Sequence, residues 1–429
     1  MTRHTNLIPR WTVAGDAPPR AARDACPPGA APARSLYIHV PFCAHKCHYC
    51  DFYSFVDTRD QQRAFTRALI RELRGLAPLA DGRGLESVFI GGGTPSLLGV
   101  EHWRTLLAAL RDLFDLAPIA AGAGEFTVEC NPESVTAELM ETLAAGHVNR
   151  VSLGAQSFDP GHLATLERRH DPGRVATALA TARDAGIHHR SLDLIFAVPG
   201  QTLDDVRADL EAALALDPAV DHLSAYCLTY EPNTPLAARA TRGEIRPIDD
   251  DTAAAMQTLV RDTLAGAGFE QYEVSNYALG GARSRHNLAY WRTEGWLAAG
   301  PSASAHVLTT DPATGLPAGA RWKNMPSLRR WRAHVEATGS APIVDFEPPD
   351  PARTLRERLM MGVRLAEGVD ADRALEHADR LGCAEALSGA ARRQRDLGLL
   401  DLEGGRWRPT ARGFLFADAI AGALMGAVE

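Results

Sequence analysis

Three cysteines crowded into one short loop constrain this chain more than any other feature. Cys43, Cys47 and Cys50 are three of its seven cysteines, and they follow directly after LYIHV at 36–40, a run with the β-branched and aromatic content of a strand. Three thiolates on one loop can hold three irons of a cubane iron–sulfur cluster and leave the fourth iron without a protein ligand. The loop therefore predicts an open cluster whose coordination is completed by another molecule.

Two other uses of these cysteines remain open at this point. With His45 or His48 they would form a Cys₃His set, which is an ordinary structural zinc site. Structural zinc usually joins two separated ligand pairs, and no second pair exists here, because the other four cysteines are scattered singly. The same scatter speaks against a disulfide framework. The strand followed by a loop favours the cluster.

Polar or glycine-rich segments follow six strand-like segments in turn. The predicted strands cover residues 36–40, 87–90, 125–129, 150–153, 191–196 and 222–228, and they alternate with helical patterns such as 59–76 and 101–114. Alternating strands and helices indicate right-handed βαβ crossovers and a parallel sheet. Ligands collect at the carboxyl ends of such strands. Six units predict an α/β fold, a partial (β/α)6 barrel open on one side.

A phosphate-binding or nicotinamide-binding protein is the rival interpretation of this pattern. The triple glycine at 91–93 could form a turn before a helix amino terminus. However, no G-x-G-x-x-G follows the first strand, and no G-x-x-x-x-G-K-[ST] occurs in the sequence. A glycine run alone is a weak signal for either ligand.

The cysteine spacing resembles that of a known superfamily. C-x3-C-x2-C, followed by Asp51 and Phe52, is similar to the cluster loop of radical S-adenosylmethionine (SAM) enzymes, and YIHVPFC with CHYCDF resembles the oxygen-independent coproporphyrinogen III oxidase-like family and its haem-chaperone branch. The resemblance implies a radical-SAM partial barrel. It also implies a [4Fe–4S] cluster on Cys43, Cys47 and Cys50, with SAM as the exchangeable ligand of the open iron.

The same resemblance implies a set of SAM-contacting residues, each at or near a strand end: Tyr37, Gly93, Thr94, Glu129, Gln156, Arg168 and Asp193. In the family the GGGTP segment meets the amino group of SAM, an acid and a glutamine suit the ribose, and an arginine fork pairs with the carboxylate. Asp193 is an acid within an apolar strand, which is costly unless it is paired. Ordinary roles stay open as well: a tight turn, an ion pair, a solvated helix end, or core packing for Tyr37.

A second motif, RHNLAYW at 285–291, resembles the haem-chaperone branch, as does YEVSNYA at 272–278. A histidine beside Tyr290 and Trp291 can offer an axial nitrogen and flat ring surfaces to a porphyrin. His286 is therefore the haem-ligand candidate, with a structural histidine as the alternative.

Composition shifts divide the chain into four expected parts. Residues 1–33 are rich in Pro, Ala and Arg and are expected to be a disordered extension, 34–268 the barrel, 269–345 a barrel-capping segment with the HNxxYW motif, and 346–429 a small winged-helix-like domain. Prolines at 348, 349 and 351 predict a linker before that domain, and helices are expected over 355–365 and 371–387. Winged helices often bind DNA, but this one has no basic stripe beyond Arg392, Arg393 and Arg395.

Bulk properties exclude several classes of partner. A net charge of −8 gives no electrostatic case for nucleic acid or an anionic membrane surface. No apolar run is long enough to cross a bilayer, and residues 1–34 lack the apolar core of a signal peptide. We therefore expect a cytoplasmic protein, in a reducing compartment that suits free thiolates.

Two functions from different classes follow from the resemblance. One is a haem chaperone that holds a cluster and SAM, binds haem and passes it to acceptor proteins, among which respiratory haemoproteins are candidates. The other is an oxidase that decarboxylates coproporphyrinogen III to protoporphyrinogen IX through a 5′-deoxyadenosyl radical. The oxidase resembles C-x3-C-x2-C-x-C, and Phe52 stands where its further cysteine would be. The oxidase also has an ordered amino-terminal segment. Both departures favour the chaperone, without oxidase activity.

Overall fold

The computed structural model describes residues 21–56, 60–80 and 82–428. In the described part of the chain the strands are β1 (Ser35–Val40), β2 (Phe42–Cys43), β3 (Phe55–Val56), β4 (Ser87–Gly92), β5 (Glu125–Cys130), β6 (Arg150–Gln156), β7 (His189–Phe196), β8 (His222–Cys227), β9 (Glu270–Gln271), β10 (Asn276–Ala278), β11 (Trp296–Ala299), β12 (Ser304–Thr310), β13 (Pro317–Asn324), β14 (Ile343–Asp350), β15 (Val369–Asp370), β16 (Leu400–Asp401) and β17 (Arg406–Pro409).

The helices of the same residues are α1 (Ala22–Ala25), α2 (Gln62–Leu76), α3 (Val100–Leu113), α4 (Ala117–Ala120), α5 (Ala137–Ala145), α6 (Pro160–Thr165), α7 (Gly173–Asp184), α8 (Leu203–Leu214), α9 (Pro235–Thr241), α10 (Asp250–Gly266), α11 (Arg285–Trp291), α12 (Leu328–Thr338), α13 (Pro351–Gly362), α14 (Ala371–Arg380), α15 (Ala384–Asp396), α16 (Ala411–Leu415) and α17 (Ala417–Met425). Within these ranges, no helix has the length and apolar character needed to cross a membrane.

Six parallel strands in the order β1-β4-β5-β6-β7-β8 form the centre of a mixed sheet. They coincide with the six predicted strands, so the expected α/β partial barrel is confirmed. One set of alternate side chains, including Ile38, Val88 and Phe126, is fully buried in a single core with helix residues such as Leu69 and Trp103. This apolar layer between strands and helices holds the barrel together.

The other set of alternate side chains in the barrel is mostly polar. Successive residues on a strand point to opposite faces of the sheet, so this set shares the inner face. In β6, β7 and β8 the inner-face set lines a cavity and comprises Arg150, Ser152, Ser191, Asp193, His222 and Ser224. The barrel is therefore apolar on its outer face and polar on its inner face, and the polar inner face surrounds a cavity that can hold a ligand.

Residues 269–345 extend the sheet at both edges. Strands β9 and β10 continue from β8, whereas β11 lies parallel to β1 and is followed by antiparallel β12, β13 and β14. Helix α11 sits at the amino ends of β4 and β5. There the Glu125 carboxylate accepts hydrogen bonds from the Ser284 hydroxyl (3.1 Å) and from the backbone N–H groups of Arg285 (2.9 Å) and His286 (3.3 Å). Arg150 pairs with Glu125 at 3.1 Å.

A buried carboxyl group ties α2 to these added strands. Glu72 accepts hydrogen bonds from the Gly300 N–H (2.8 Å), the Asn324 amide (2.7 Å) and the Trp331 indole (3.0 Å). It is fully buried, and this burial raises the pKa of Glu72 to about 7 against the hydrogen bonds. The edge strands are thereby fixed to the outer helix layer.

Residues 21–33 differ from the disordered extension that composition suggested. Ala22 and Ala33 are buried in the main core, the Ala31 N–H donates to the Leu308 carbonyl (2.8 Å), and the Ala22 N–H donates to the Ala341 carbonyl (3.4 Å). Composition could not show this order, because the surface that residues 21–33 contact is formed by residues almost 300 positions later in the chain. The remainder of the expected extension, residues 1–20, lies outside the described residues.

The proline-rich stretch after residue 345 is not a linker. Pro348 and Pro349 belong to β14, an edge strand, where a residue without N–H is tolerated. Pro351 is the first residue of α13, and Asp350 caps this helix by accepting from the Arg353 N–H at 2.9 Å. The expected boundary between residues 345 and 346 thus falls inside a strand.

The carboxyl-terminal residues form their own hydrophobic core, to which Leu359, Ala378 and Leu424 contribute. Helices α13 to α17 pack with a small antiparallel sheet in the order β15-β17-β16, so the expected winged-helix-like arrangement is confirmed. The single helix expected over 371–387 is wrong: α14 ends at Arg380, and Gly382 with φ +78° separates it from α15.

Candidate cofactor and ligand site

The cysteine loop lies at the carboxyl end of β1 and is closed at its base by pairing of β2 with β3. Cys43, Cys47 and Cys50 are free thiols, of which Cys47 is buried and the other two are partly exposed. Burial raises the pKa of Cys43 and of Cys50. The loop is braced by Lys46, whose ammonium donates to the Phe52 carbonyl at 2.8 Å.

The GGGTP segment packs directly against this loop. The Gly93 N–H donates to the Val40 carbonyl and the Thr94 N–H to the Phe42 carbonyl, each at 2.7 Å. A Cβ atom on Gly93 would lie 2.6 Å from the Phe42 carbonyl oxygen, so only glycine fits there. The Thr94 hydroxyl in turn donates to Cys43 Sγ at 3.7 Å. Gly93 is thus required by close packing against the backbone at the start of the cysteine loop.

Arg168 reaches the same loop from the opposite side. Its guanidinium donates to Cys47 Sγ at 3.7 Å and to the Gly154 carbonyl at the end of β6. Gln156, the last residue of β6, has a positive φ of +66°, and its amide and the Arg168 fork both lie over Gly154, where a Cβ would be 2.7 and 2.9 Å away. The Nε of Arg168 is buried and has no hydrogen-bond partner in the described ranges.

Glu129 and Asp193 face the cavity from β5 and β7. Glu129 accepts from the Gly92 N–H at 3.0 Å, and Asp193 accepts from the Ser152 hydroxyl at 3.2 Å. Burial and the neighbouring Asp193 raise the pKa of Glu129 to about 7, and burial raises the pKa of Asp193 to about 6. Two acids sharing one wall provide a negative surface that suits a cation.

His286 lies at the other end of the cavity. Its Nδ1 is 2.9 Å from the Ser87 hydroxyl, which itself donates to the Ser35 hydroxyl at 2.9 Å. Ser87 must therefore accept from Nδ1–H, which places the lone pair of the ring on Nε2. This Nε2 is buried and without a partner among residues the structure describes. Burial lowers the pKa of His286 to about 4, so the imidazole is neutral at physiological pH.

Aromatic rings surround His286. Phe89 stacks on it at 5.3 Å between ring centroids, Tyr37 lies at 6.3 Å, and Tyr290 makes an edge contact at 4.7 Å. The Tyr37 hydroxyl is hydrogen-bonded to His39 Nδ1 at 3.1 Å. Tyr37, which the family resemblance associates with SAM, is therefore placed beside His286.

A cavity of about 870 Å³ lies between the two acids and His286, a volume typical of a site for a small molecule or cofactor. It runs from the cysteine loop, where exposed Phe52 forms part of the wall, down to Arg150 and His286 at the amino ends of the strands. Glu129 and Asp193 line its middle. Of the site residues predicted from the sequence, only Tyr37, Glu129, Asp193 and His286 are among those that line this cavity. The others are not among its lining residues: Cys43, Cys47, Cys50, Gly93, Thr94, Gln156 and Arg168.

The chemistry of the donor set suits an iron–sulfur cluster. Among the described residues no three His, Cys, Asp or Glu side chains converge as ligands of one ion. Cysteines that hold a cubane bind different irons and need not converge on one point. Arg168 and Thr94, which both donate to cysteine sulfurs, also suit thiolates that carry negative charge.

Several cavity residues were not singled out from the sequence, among them Thr127, Arg150, His222 and Lys323. A signal was present: β6 to β8 alternate polar and apolar residues, as in RVSLGAQ, whereas parallel strands buried on both faces are usually apolar throughout. That alternation indicates a polar interior. Lys323 has no such signal, because β13 is brought to the cavity only by the tertiary fold.

Sequence comparison gives a family for the chain. Residues 37–213 match the Radical SAM superfamily, and residues 350–416 match the HemN C-terminal domain. The chain is 39% identical over 406 residues to heme chaperone HemW of Mycobacterium tuberculosis, which covers 93% of this chain and 97% of that protein. It is 38% identical over 281 residues to heme chaperone HemW of Escherichia coli, covering 65% of this chain and 72% of that protein.

Structural comparison supports the fold. Coproporphyrinogen III oxidase (HemN) from Escherichia coli, a radical SAM enzyme, superposes with a TM-score of 0.75 over 92% of this chain and 91% of that one. At 22% sequence identity this likeness concerns the fold alone.

Proposed function

The chain belongs to the HemW family of radical SAM proteins, and from this premise we propose that it is a haem chaperone. It binds a [4Fe–4S] cluster and SAM at the carboxyl ends of the barrel strands, holds haem in the cavity below, and passes haem to acceptor proteins. Respiratory haemoproteins are candidate acceptors, and the cytoplasm is the expected compartment.

The proposed cluster ligands are Cys43, Cys47 and Cys50. When bound, the cluster supplies an open iron for the amino and carboxylate groups of SAM and an electron source. Arg168 lies beside Cys47, and its Nε has no partner among the described residues, which suits the SAM carboxylate. The Thr94 hydroxyl lies beside Cys43.

The remaining proposed SAM contacts lie on both sides of these two residues. They are Gly93 in the GGGTP segment, Glu129 and Gln156 on the ribose, Asp193, and Tyr37. Glu129 and Asp193 form an acidic wall that favours the positively charged sulfonium of SAM.

The observation that carries haem binding is the state of His286. Its Nδ1–H is donated to Ser87, its ring is neutral, and its Nε2 is unpaired within the described residues. A ligating histidine in a metal site has this arrangement, since the second ring nitrogen donates and fixes the tautomer. Phe89 and Tyr290 provide flat apolar surfaces beside it. We therefore assign His286 as the axial ligand.

The phenylalanine at position 52 is evidence against coproporphyrinogen III oxidase activity in this chain. It occupies the position of the additional cysteine of the oxidase pattern, is 60% exposed, and forms part of the cavity wall. A phenyl ring there can contact a flat macrocycle but cannot provide a thiolate. We expect no conversion of coproporphyrinogen III.

The test is an anaerobic titration of the reconstituted protein with haem, combined with an assay for decarboxylation of coproporphyrinogen III in the presence of SAM and a reductant. We expect stoichiometric haem binding, no product, and transfer of the bound haem to apo-myoglobin as a generic acceptor. His286→Ala should lose the axial-ligand signature in the absorption and resonance Raman spectra.

His306→Ala is the matched control. His306 is equally buried, its Nδ1 likewise donates to a hydrogen-bond acceptor, the Glu294 carbonyl, and its Nε2 has no partner among the described residues. It differs from His286 in being absent from the cavity wall. This variant should bind haem as the unmodified chain does. Turnover to protoporphyrinogen IX, or equal loss of haem in both variants, would overturn the proposal.

A further inference from the structure

The chain has only two lysines, and both lie at the same cavity. Of its 45 Lys and Arg residues, only Lys46 and Lys323 are lysines, and every other cation of this count is an arginine. Both lysines line the large cavity. Lysine differs from arginine in being a compact, rotatable point charge, so its use at these two positions alone indicates a distinct local requirement.

The two ammonium groups have different surroundings. Lys46 donates to the carbonyls of Phe52 (2.8 Å) and Ser54 (3.3 Å), so it braces the cysteine loop. Lys323 has neither a hydrogen-bond acceptor nor a carboxylate within 4.0 Å among the residues described. Its charge is therefore uncompensated by the protein, although its side chain is only partly exposed.

Two hydroxyl groups stand on the same wall as Lys323. Ser304 is paired directly with Lys323 across β12 and β13, which puts both side chains on one face of the sheet. Ser302 precedes it with a φ of +68° and also lines the cavity. Within the described part of the chain neither hydroxyl has a hydrogen-bond partner. One ammonium and two hydroxyls thus face the cavity as unused donors.

The opposite wall has the opposite charge. Glu129 and Asp193 project from β5 and β7, while Lys323 projects from β13 on the far side of β1. Lys323 acts on β1 as well, since its charge adds to burial in lowering the pKa of His39 to about 4. A ligand that carries negative charge at one end is therefore oriented by this cavity, with that end toward Lys323.

We propose that Lys323, Ser302 and Ser304 form a carboxylate subsite that binds a propionate group of the porphyrin. This proposal rests on the proposed function, because a propionate is the anionic group that haem presents. The carboxylate of SAM is the other available source, and it has a separate partner in Arg168. Lys323 thereby determines the orientation of the macrocycle and the preference for porphyrins with free propionates.

The test compares haem with haem dimethyl ester, in which both propionates are neutral. Lys323→Met should weaken haem binding by about tenfold to a hundredfold, the value of one charge-assisted hydrogen bond, and leave the affinity for the dimethyl ester unchanged. Retained ester binding also shows that the variant is folded. Arg329→Met, the loss of one exposed cation nearby on α12, is the control for net charge and should change neither affinity.

The lysine content allows a second measurement on the unmodified chain. Acetylation of amines, located by peptide mass spectrometry, should be slowed at Lys323 by haem and not by the dimethyl ester or by SAM. Equal weakening of haem and ester binding in Lys323→Met, or protection of Lys323 by SAM alone, would refute the subsite. If the unmodified chain bound neither porphyrin, the proposed function itself would fail.

Discussion

Replacing Ser87 by alanine should weaken haem binding although Ser87 does not contact the ligand. Its hydroxyl accepts the Nδ1–H of His286 at 2.9 Å and so keeps the lone pair on Nε2. Removing such a partner of a ligating histidine typically costs tenfold to a hundredfold in metal affinity. Because Ser87 itself is buried, its side chain is not in contact with bulk water. We expect Ser87→Ala to fall in this range.

The assay is an equilibrium titration of ferric haem followed in the Soret band, with resonance Raman spectra of the ferrous form to observe the iron–histidine bond. Ser191→Ala is the matched control. It removes a hydroxyl that bonds to the ring of a different buried histidine, His222, at 2.7 Å, so the iron–histidine band of His286 should not change. A Ser87→Ala protein with unchanged affinity and an unchanged iron–histidine band would refute the assigned tautomer.

Three further outcomes are expected. The pKa of buried Glu72 is about 7, against an ordinary value of 4.5, so the protonated group stabilises the fold below pH 4.5 and about 3 kcal/mol of the free energy of unfolding is lost as the pH rises through 7. Relative to the unmodified chain, Glu72→Gln should therefore gain about 3 kcal/mol between pH 4.5 and 8, as measured by urea unfolding. A difference between the two proteins that does not change with pH would contradict this expectation. Gly93→Ala brings a Cβ within 2.6 Å of a backbone oxygen and should lower both the melting temperature and the iron content after reconstitution. Gly266→Ala, at a helical position with open space, should lower neither. Equal melting temperatures of the two variants would show that packing does not require glycine at position 93. Cys47→Ser should abolish the retention of iron and sulfide, whereas Cys227→Ser, at an exposed single cysteine, should retain both. Equal iron contents in the two variants would refute the cluster assignment.

The parts of the fold that follow from local sequence were predictable. The six barrel strands and helices such as α2 and α3 have strong apolar patterns, and their positions agree with the structure within a few residues. The placement of Cys43, Cys47 and Cys50 on one loop was equally clear from their spacing, whereas their role as cluster ligands stays a prediction. In each case the information is contained in a short stretch of chain.

The features that were missed depend on contacts between distant segments. Whether Pro348 belongs to a linker or to an edge strand is decided by β13, and whether residues 21–33 are ordered is decided by β12 and the segment before β14. Lys323 enters the cavity only because β11 to β14 continue the sheet beyond β1. Sequence patterns predict elements well, but they do not show which edge an element joins.

The polar inner face of the barrel makes the stability of the protein depend on whether its cavity holds a ligand. Since Glu129, Asp193 and the serines around them add nothing to the apolar core, the empty barrel is stabilised mainly by the apolar layer between its strands and helices. A ligand present at a hundred times its dissociation constant adds about 2.7 kcal/mol to the free energy of unfolding. For the haem binding proposed above, the unloaded chain is therefore expected to open more often than the loaded chain and to be cut faster by a protease.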